Sequence, residues 1–376
     1  MSFIRGRPVA EPIHRLLLAL LVMALRAPPP PGSAHRRGDV AAGFRLRLYN
    51  RHMPIKVNID MKPEVLVIAA SPSADVMAQL ERLFVCHHLW RQPRDEQAAW
   101  LGGIAHGVRG VLTTGAIGID AALLARLPKL EIVAVNGIGT DAVDLPAARA
   151  RGILVTNTPG VLTDDVADLA LTLLLAAARR LPALDRHVRS GDWEAGKPLA
   201  PTRSLRGKVC GIYGFGRIGQ AVAARAQAFG MEVRYFQPRA IEGVAAPRSE
   251  SLWALASESD YLVVCAPGGA ATRHVVDAQV LAALGAEGTL VNIARGSLVD
   301  QQALIAALRQ RTLGMAALDV FDGEPQVPAE LRALENVVLT PHVGSLTVET
   351  RHAMGQLVVD NLRAHFAGLP LLTMVP

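Results

Sequence analysis

Residues Lys208 to Gly230 read KVCGIYGFGRIGQAVAARAQAFG, and the fold follows from them. An apolar run, Val209–Tyr213, enters a Gly-rich turn, Gly214-Phe215-Gly216-Arg217-Ile218-Gly219, and an Ala-rich helical pattern leaves it. Strand, G-x-G-x-x-G and helix in that order predict a dinucleotide cradle. The first glycine permits the tight turn, and the second lets backbone approach a pyrophosphate at the positive end of the helix. The third lets the helix lie close on the strand. Without such flanks the motif marks no more than a tight turn.

On either side, apolar runs alternate with helical ones. Upstream, Val65–Ala70, Val108–Thr113, Ile132–Val135 and Ile153–Val155 read as buried parallel strands, with Leu83–Cys86 a weaker one and Ala121–Leu127 a helix between. One long helix is expected over Asp164–Leu181. Downstream strands are Glu232–Phe236, Tyr261–Cys265, Thr289–Ile293, Met315–Leu318 and Val337–Leu339. A last helix, about Thr347–Phe366, has no sheet of its own and is expected to return to the first unit. The fold class is therefore α/β with two doubly wound parallel-sheet domains, the second carrying the dinucleotide turn. The expected boundaries are 53–157 with 345–376 for the first and 158–344 for the second. Ligand is expected at the carboxyl ends of the strands.

At 376 residues, 51% apolar and 19% charged, the chain has room for two such cores. Its net charge of +6 is misleading: residues 1–52 hold nine Arg and two acidic residues, so the remainder is near neutral. No basic stripe interleaved with aromatics is present in that remainder, which argues against a nucleic-acid module. The extension carries a short apolar run, Leu16–Leu25, after Arg5, Arg7 and Arg15. It reads either as a secretory signal or as a non-native start upstream of Met53. The second is preferred, with 1–52 disordered and no membrane span. Cys86, Cys210 and Cys265 form no C-x-x-C pair and read as small buried hydrophobes, with no metal site and a cytoplasmic setting.

Three polar clusters follow predicted strands. Arg295, in Asn292–Ser297, can fork onto a carboxylate and polarise a carbonyl, or be an ordinary surface arginine. Asp319 ends a strand and could bond a cofactor amide, while Glu324 sits between Gly323 and Pro325. His342 follows Pro341 at the end of the last strand. Beside a carboxylate such as Glu324 it would suit acid/base work, although a lone histidine is more often structural. Together they fit reduction of a 2-keto acid: Arg295 grips the carboxylate, a nicotinamide delivers hydride, and His342 protonates the carbonyl oxygen.

These motifs resemble the D-isomer-specific 2-hydroxyacid dehydrogenase family. The likeness rests on Val135-Asn136-Gly137-Ile138-Gly139-Thr140-Asp141, the GFGRIG turn, NIARGSLVD, DVFDGEP and TPHVGS, and runs from Glu64 to the C-terminus. It implies a flavodoxin-like domain for substrate and a Rossmann domain for cofactor, with Arg295, Glu324 and His342 as the catalytic set and Asp319 near the nicotinamide. The Asn136, Gly137, Ile138 and Gly139 loop would offer backbone N–H groups to the substrate, and the cofactor domains would form a homodimer. The stretches Gly160–Ala170 and Pro341–Arg351 are similar to the NADPH-preferring hydroxypyruvate/glyoxylate reductases, which puts Thr163 near the cofactor. Ala266 and Pro267, after the Tyr261–Cys265 strand, complete the cofactor set. NAD enzymes carry an acid about twenty residues past the turn for the ribose 2′-hydroxyl. Gln237 stands there with Arg239 near, so NADP(H) is expected over NAD(H). The alternatives are an NAD-dependent D-lactate or 3-phosphoglycerate dehydrogenase and a cofactor-sensing corepressor. Trp90 and Trp193 read equally as pocket, core or interface.

Overall fold

The computed structural model describes residues 62–69 and 73–376, so the expectations for the 1–52 extension lie outside the described residues. Two parallel sheets organise the chain. The first has strands β1 (Glu64–Val67), β2 (Val85–His88), β3 (Val108–Thr114), β4 (Ile132–Asn136) and β5 (Leu154–Thr156) in the order β2-β1-β3-β4-β5. That is the flavodoxin-like order. The second has β6 (Val209–Tyr213), β7 (Glu232–Phe236), β8 (Tyr261–Val264), β9 (Thr289–Asn292), β10 (Met315–Leu318) and β11 (Val337–Leu339) in the order β11-β10-β9-β8-β6-β7. A single parallel bridge, Tyr235 to Arg248, continues it beyond β7. With that bridge as its outermost strand, the sheet has the Rossmann order, and the order reverses between β6 and β8.

Central strands are continuous apolar runs because helices cover both faces. Val133 and Val135 face one core and Ile132 and Ala134 the other, and all four are fully buried. Five helices place the site: α1 (Ala74–Leu83), α2 (Thr163–Ala178), α3 (Leu181–Arg189), α4 (Arg217–Ala228) and α5 (Val348–Phe366). α2 buries Ala167, Ala170, Leu173 and Leu174 with Ile212, Val263 and Val291 of the second sheet and Val222 of α4. α5 returns to the first sheet, where Val358, Val359 and Leu362 pack with Val65, Val67 and Ile132. The chain thus passes between the two cores twice, after β5 and after β11. At these passages Thr347, the N-cap of α5, and Thr350 both donate their hydroxyls to the Asp165 carboxylate on α2.

Some boundaries differ from expectation. The single helix over Asp164–Leu181 is broken after Ala178, because Arg180 takes a left-handed backbone (φ 50°) and Pro182 opens α3. The edge strand β2 lies two residues later than expected, on half-exposed residues that give no apolar run. Cys210 is fully buried, and burial pushes its thiol up to about 12. All three cysteines are free thiols. Among the described residues no helix is long and apolar enough to cross a membrane, and no group of His, Cys, Asp and Glu could hold a metal ion.

Candidate active site

Polar residues gather where β4, β6, β8, β9, β10 and β11 end. At the Gly-rich turn each glycine has its own reason. Gly214 has φ 90°, and a Cβ there would lie 2.5 Å from the Ala266 nitrogen, so the turn closes tightly on the end of β8. A Cβ on Gly219 would collide with the Gly214 carbonyl oxygen and press on Ile212 Cγ2 at 3.2 Å, so glycine here lets α4 start close against the turn and β6. Gly216, the N-cap of α4, has ordinary dihedrals and nothing within 4 Å of a would-be Cβ. That open space, at the free N–H groups of a helix start, is the cradle a pyrophosphate needs. Arg217 reaches over the opposite wall, with Nη1 3.2 Å from where a Gly160 Cβ would sit.

Gln237 is committed to this turn rather than free beside it. Its Oε1 accepts from the Phe215 N–H at 3.0 Å, and its Nε2 donates to the Arg239 carbonyl at 2.6 Å. The Arg239 side chain is exposed and makes no hydrogen bond or ion pair among the described residues. A second arginine, Arg248, was not legible in the sequence. It donates to the Gln237 and Pro238 carbonyls at 3.1 and 3.2 Å, and its guanidinium lies 5.7 Å from the Phe236 ring centroid. It arrives through a loop without a motif, so residue pattern carried no signal of it.

Arg295, Glu324 and His342 follow three neighbouring strands, β9, β10 and β11. His342 Nδ1 lies 2.7 Å from Glu324 Oε2, and Glu324 Oε1 accepts from the Phe321 N–H at 2.9 Å. Burial alone would raise the Glu324 carboxyl. The hydrogen bonds from His342 and Phe321, with the charges of His342 and Arg295, outweigh it and hold the group below the usual carboxylate range. Glu324 is therefore an anionic acceptor, and His342 Nδ1 must carry the proton between them. Nε2 is left for other partners.

The His342 loop is strung on Asp319, which is buried. Its Oδ1 accepts from Thr340 Oγ1 at 2.7 Å and the Val343 N–H at 2.8 Å, its Oδ2 from the Gly344 N–H at 3.0 Å, and its backbone carbonyl from the His342 N–H at 2.7 Å. Asp319 thus spends its carboxylate on the loop rather than facing an open site, and it holds His342 in a left-handed backbone (φ 54°). Asp322, two residues before Glu324 in the same turn, is held by Gln301, whose Oε1 accepts from its N–H at 3.2 Å.

Across from these, the loop after β4 is pinned by the residues that follow β5. The Thr158 N–H donates to the Gly137 carbonyl at 2.9 Å, and Asn157 Nδ2 to the Ile138 carbonyl at 2.8 Å. The Gly137 N–H closes onto the Val135 carbonyl at 3.1 Å, so it is not the free donor expected of it. Among the described residues, the Ile138 and Gly139 N–H groups make no hydrogen bond, and neither do those of Thr140 and Asp141 further along the loop. Asn136 is buried with neither end of its amide bonded, and the Thr158 and Thr163 hydroxyls are buried and unpaired as well. These orphans mark where the protein leaves hydrogen bonds for something else. Arg295 crosses to this loop: its Nε donates to Asp141 Oδ2 at 2.8 Å. Trp90 and Trp193 are both exposed, and Trp90 stacks with Arg91 and meets His88 edge-on.

The family model described as "D-isomer specific 2-hydroxyacid dehydrogenase, NAD binding domain" matches residues 171–344. A glyoxylate/hydroxypyruvate reductase A of Arabidopsis thaliana is 50% identical over 297 residues, covering 79% of this chain and 94% of the relative. A hydroxyphenylpyruvate reductase of Plectranthus scutellarioides is 47% identical over 310 residues, covering 82% and 98%. Among solved structures, the NADPH-dependent glyoxylate/hydroxypyruvate reductase of Sinorhizobium meliloti, in complex with NADP and malonate, superposes with a TM-score of 0.76. It is 41% identical and covers 84% of this chain and 97% of that one.

Proposed function

The chain belongs to the D-isomer specific 2-hydroxyacid dehydrogenase family, and from that membership we propose that it reduces small 2-keto acids, glyoxylate and hydroxypyruvate first, to D-2-hydroxy acids with NADPH. The observation that carries the reading is the 2.7 Å His342–Glu324 pair at the end of β11, on the sheet that also ends in Arg295 and the glycine cradle. Bound at that cradle, the nicotinamide coenzyme supplies the hydride for the carbonyl carbon. The remaining work falls to the chain's own residues.

Arg295 grips the substrate carboxylate through its Nη edge and polarises the neighbouring carbonyl, since Nε is already engaged by Asp141. The Ile138 and Gly139 N–H groups and the Asn136 amide add donors from the opposite side. His342 gives the proton on Nε2 to the carbonyl oxygen as negative charge develops there. Glu324 keeps Nδ1 protonated and the ring in place, and it stabilises the imidazolium before transfer. Asp319 acts beneath them by fixing the His342 loop.

NADP(H) is favoured over NAD(H) because the chain has no acid at the position past the turn where NAD enzymes bind the ribose 2′-hydroxyl. Gln237 replaces it, Arg239 stands free to attract a 2′-phosphate, and Arg248 braces the Gln237–Pro238 backbone between them. Thr163, Ala266 and Pro267 complete the cofactor wall. We put the domain boundaries at 157/158 and 344/345, where the chain passes between the two cores. The exposure of Leu181, Val188, Trp193 and Leu199 along α3 and the loop after it supports a homodimer through the cofactor domain. Unpaired cysteines support a cytoplasmic enzyme.

The test is kcat/KM for glyoxylate, hydroxypyruvate, hydroxyphenylpyruvate and pyruvate with each coenzyme. NADPH-dependent turnover that is highest with the first two supports the reading. A preference for NADH with pyruvate would move the assignment to a D-lactate dehydrogenase, and no turnover at all would favour a cofactor-sensing binding protein.

A further inference from the structure

Arg295 and Asp141 come from different sheets. Arg295 follows β9 of the second, Asp141 follows β4 of the first, and 154 positions separate them in the chain. Their contact is the point where a charged side chain of one sheet is held by a charged side chain of the other, directly over the loop that carries Ile138 and Gly139.

The guanidinium is held at two of its corners. Nε donates to Asp141 Oδ2 at 2.8 Å, and Nη1 donates to the Ala294 carbonyl at 2.7 Å. Two bonds to different corners fix the plane of the group as well as its position. What remains is the edge formed by the second Nη1 proton and Nη2, which is the edge that can fork onto a carboxylate.

The surroundings are shaped to this pair. A Cβ on Gly268, after β8, would lie 2.9 Å from Arg295 Cγ and 3.1 Å from Asp141 Oδ1. A Cβ on Gly139 would collide with Arg295 Nη2 and lie 2.8 Å from Asp141 Oδ2. Glycine therefore stands on both sides of the ion pair, one from each sheet. An ion pair at half-exposed side chains adds little to stability. Wedged between two glycines and spanning a cleft, its effect is on orientation.

We propose that Asp141 is a positioning residue for Arg295, and that it makes alignment of the guanidinium depend on approach of the two sheets. This rests on the reading that Arg295 grips the keto acid. With the sheets together, Asp141 holds Nε and turns the Nη edge towards the substrate beside the Ile138 and Gly139 N–H groups. With the sheets apart, Arg295 keeps only its bond to Ala294 and its side chain is free to turn. Substrate grip is thereby linked to closure, and release of the hydroxy acid to opening.

A double-mutant cycle on kcat/KM for glyoxylate with NADPH tests this in the full-length enzyme. Asp141→Ala is expected to lower kcat/KM by roughly 10- to 100-fold, chiefly through KM, the cost of a misaligned but intact binding group. Asp141→Asn, which keeps an acceptor, recovers part of that loss. NADPH affinity and Tm stay close to wild type in both. In an Arg295→Ala background, Asp141→Ala is expected to change kcat/KM by less than about twofold, because the group it positions is gone. Equal costs in the two backgrounds would overturn the proposal, as would a loss of NADPH affinity matching the loss of activity. If Arg295→Ala by itself leaves KM for glyoxylate unchanged, the reading beneath the proposal fails, and the single variant shows it. Should Asp141→Ala not fold, the same cycle with Asp141→Asn gives the same decision.

Discussion

His342 Nδ1 and Glu324 Oε2 meet at 2.7 Å although they lie on loops after different strands, and the contact fixes which ring nitrogen is left to react. Because the Glu324 carboxyl is held below its usual range, it accepts and Nδ1 donates. His342→Ala should lower kcat by roughly 10²- to 10⁴-fold, the span of a lost general acid, with NADPH affinity unchanged. Glu324→Gln should fall between that variant and wild type, since an amide still touches the ring but bears no charge. Steady-state kinetics with titration of NADPH fluorescence separates the two effects; near-full kcat in His342→Ala would remove it as the proton donor.

The same pair has a signature in stability. A carboxyl whose folded pKa is depressed stabilises the fold at any pH above its ordinary value, here 4.5, and loses that contribution as pH falls through the lowered folded value. The Tm of wild type should therefore exceed that of Glu324→Gln at pH 7, and the gap should close as pH falls towards about 3. A gap that widened in acid would contradict the ionised, hydrogen-bonded state.

Two glycines of the cradle should behave oppositely when changed to alanine. Gly214 has φ 90° and no room for a Cβ beside Ala266, so Gly214→Ala should cost about 1–3 kcal/mol from backbone conformation alone and lower Tm clearly. Gly216 has ordinary dihedrals and open space, so Gly216→Ala should leave Tm within a degree or two of wild type. Its methyl would occupy the approach of the pyrophosphate, so NADPH affinity should fall all the same. A melting curve and a coenzyme titration on each variant check the contrast.

The parts of the molecule that were legible have a local physical cause. Strands covered on both faces must be apolar throughout, so β4, β6 and β8 stood out as runs, and the turn after β6 announced itself because only glycine meets the left-handed backbone of Gly214 and the close approaches at Gly214 and Gly219. The C-terminal helix could be seen to lack a sheet, which was enough to send it back to the first core. What stayed hidden depends on tertiary partners. The break between α2 and α3 rests on Arg180, a residue type that gives no warning of a left-handed backbone, and Pro182 was the only local sign. Arg248, the bond between Asp141 and Arg295, and the engagement of the Gly137 N–H all arise from chain segments that meet only in the folded state. Asp319 shows the same limit: its position at a strand end was readable, but its use as a brace for the His342 loop was not.

Asp165 ties the start of α5 to the start of α2 by accepting from Thr347 and Thr350, and these bonds, helped by the charge of Arg225, lower its carboxyl against a smaller opposing effect of burial. Asp165→Ala should cost about 1 kcal/mol through the loss of hydrogen bonds to a charged acceptor at the surface. The sign with pH is that of Glu324: the contribution is whole above the ordinary value of 3.8 and is lost as pH falls through the lowered one. Chemical denaturation at pH 7 and at about pH 3 should show a larger wild-type advantage in the first than in the second.

Coenzyme choice gives the most discriminating pair of variants. The Arg239 side chain makes no hydrogen bond or ion pair among the described residues, so its removal should leave the fold alone and take away a cation facing the 2′-phosphate. Arg239→Ala should lower kcat/KM for NADPH by about tenfold or more and leave that for NADH nearly unchanged, since only NADPH carries the phosphate. Gln237→Asp adds what NAD enzymes use, an acid for the ribose 2′-hydroxyl, and the same charge repels a phosphate. It also shortens the side chain that accepts from the Phe215 N–H at 3.0 Å, so it should lose some affinity for both coenzymes. The ratio of kcat/KM for NADH over NADPH should nonetheless rise in each single variant and rise further in the double one. If that ratio stayed at the wild-type value in both singles, discrimination would have to lie elsewhere on the rim, and Arg248 would be the next residue to change.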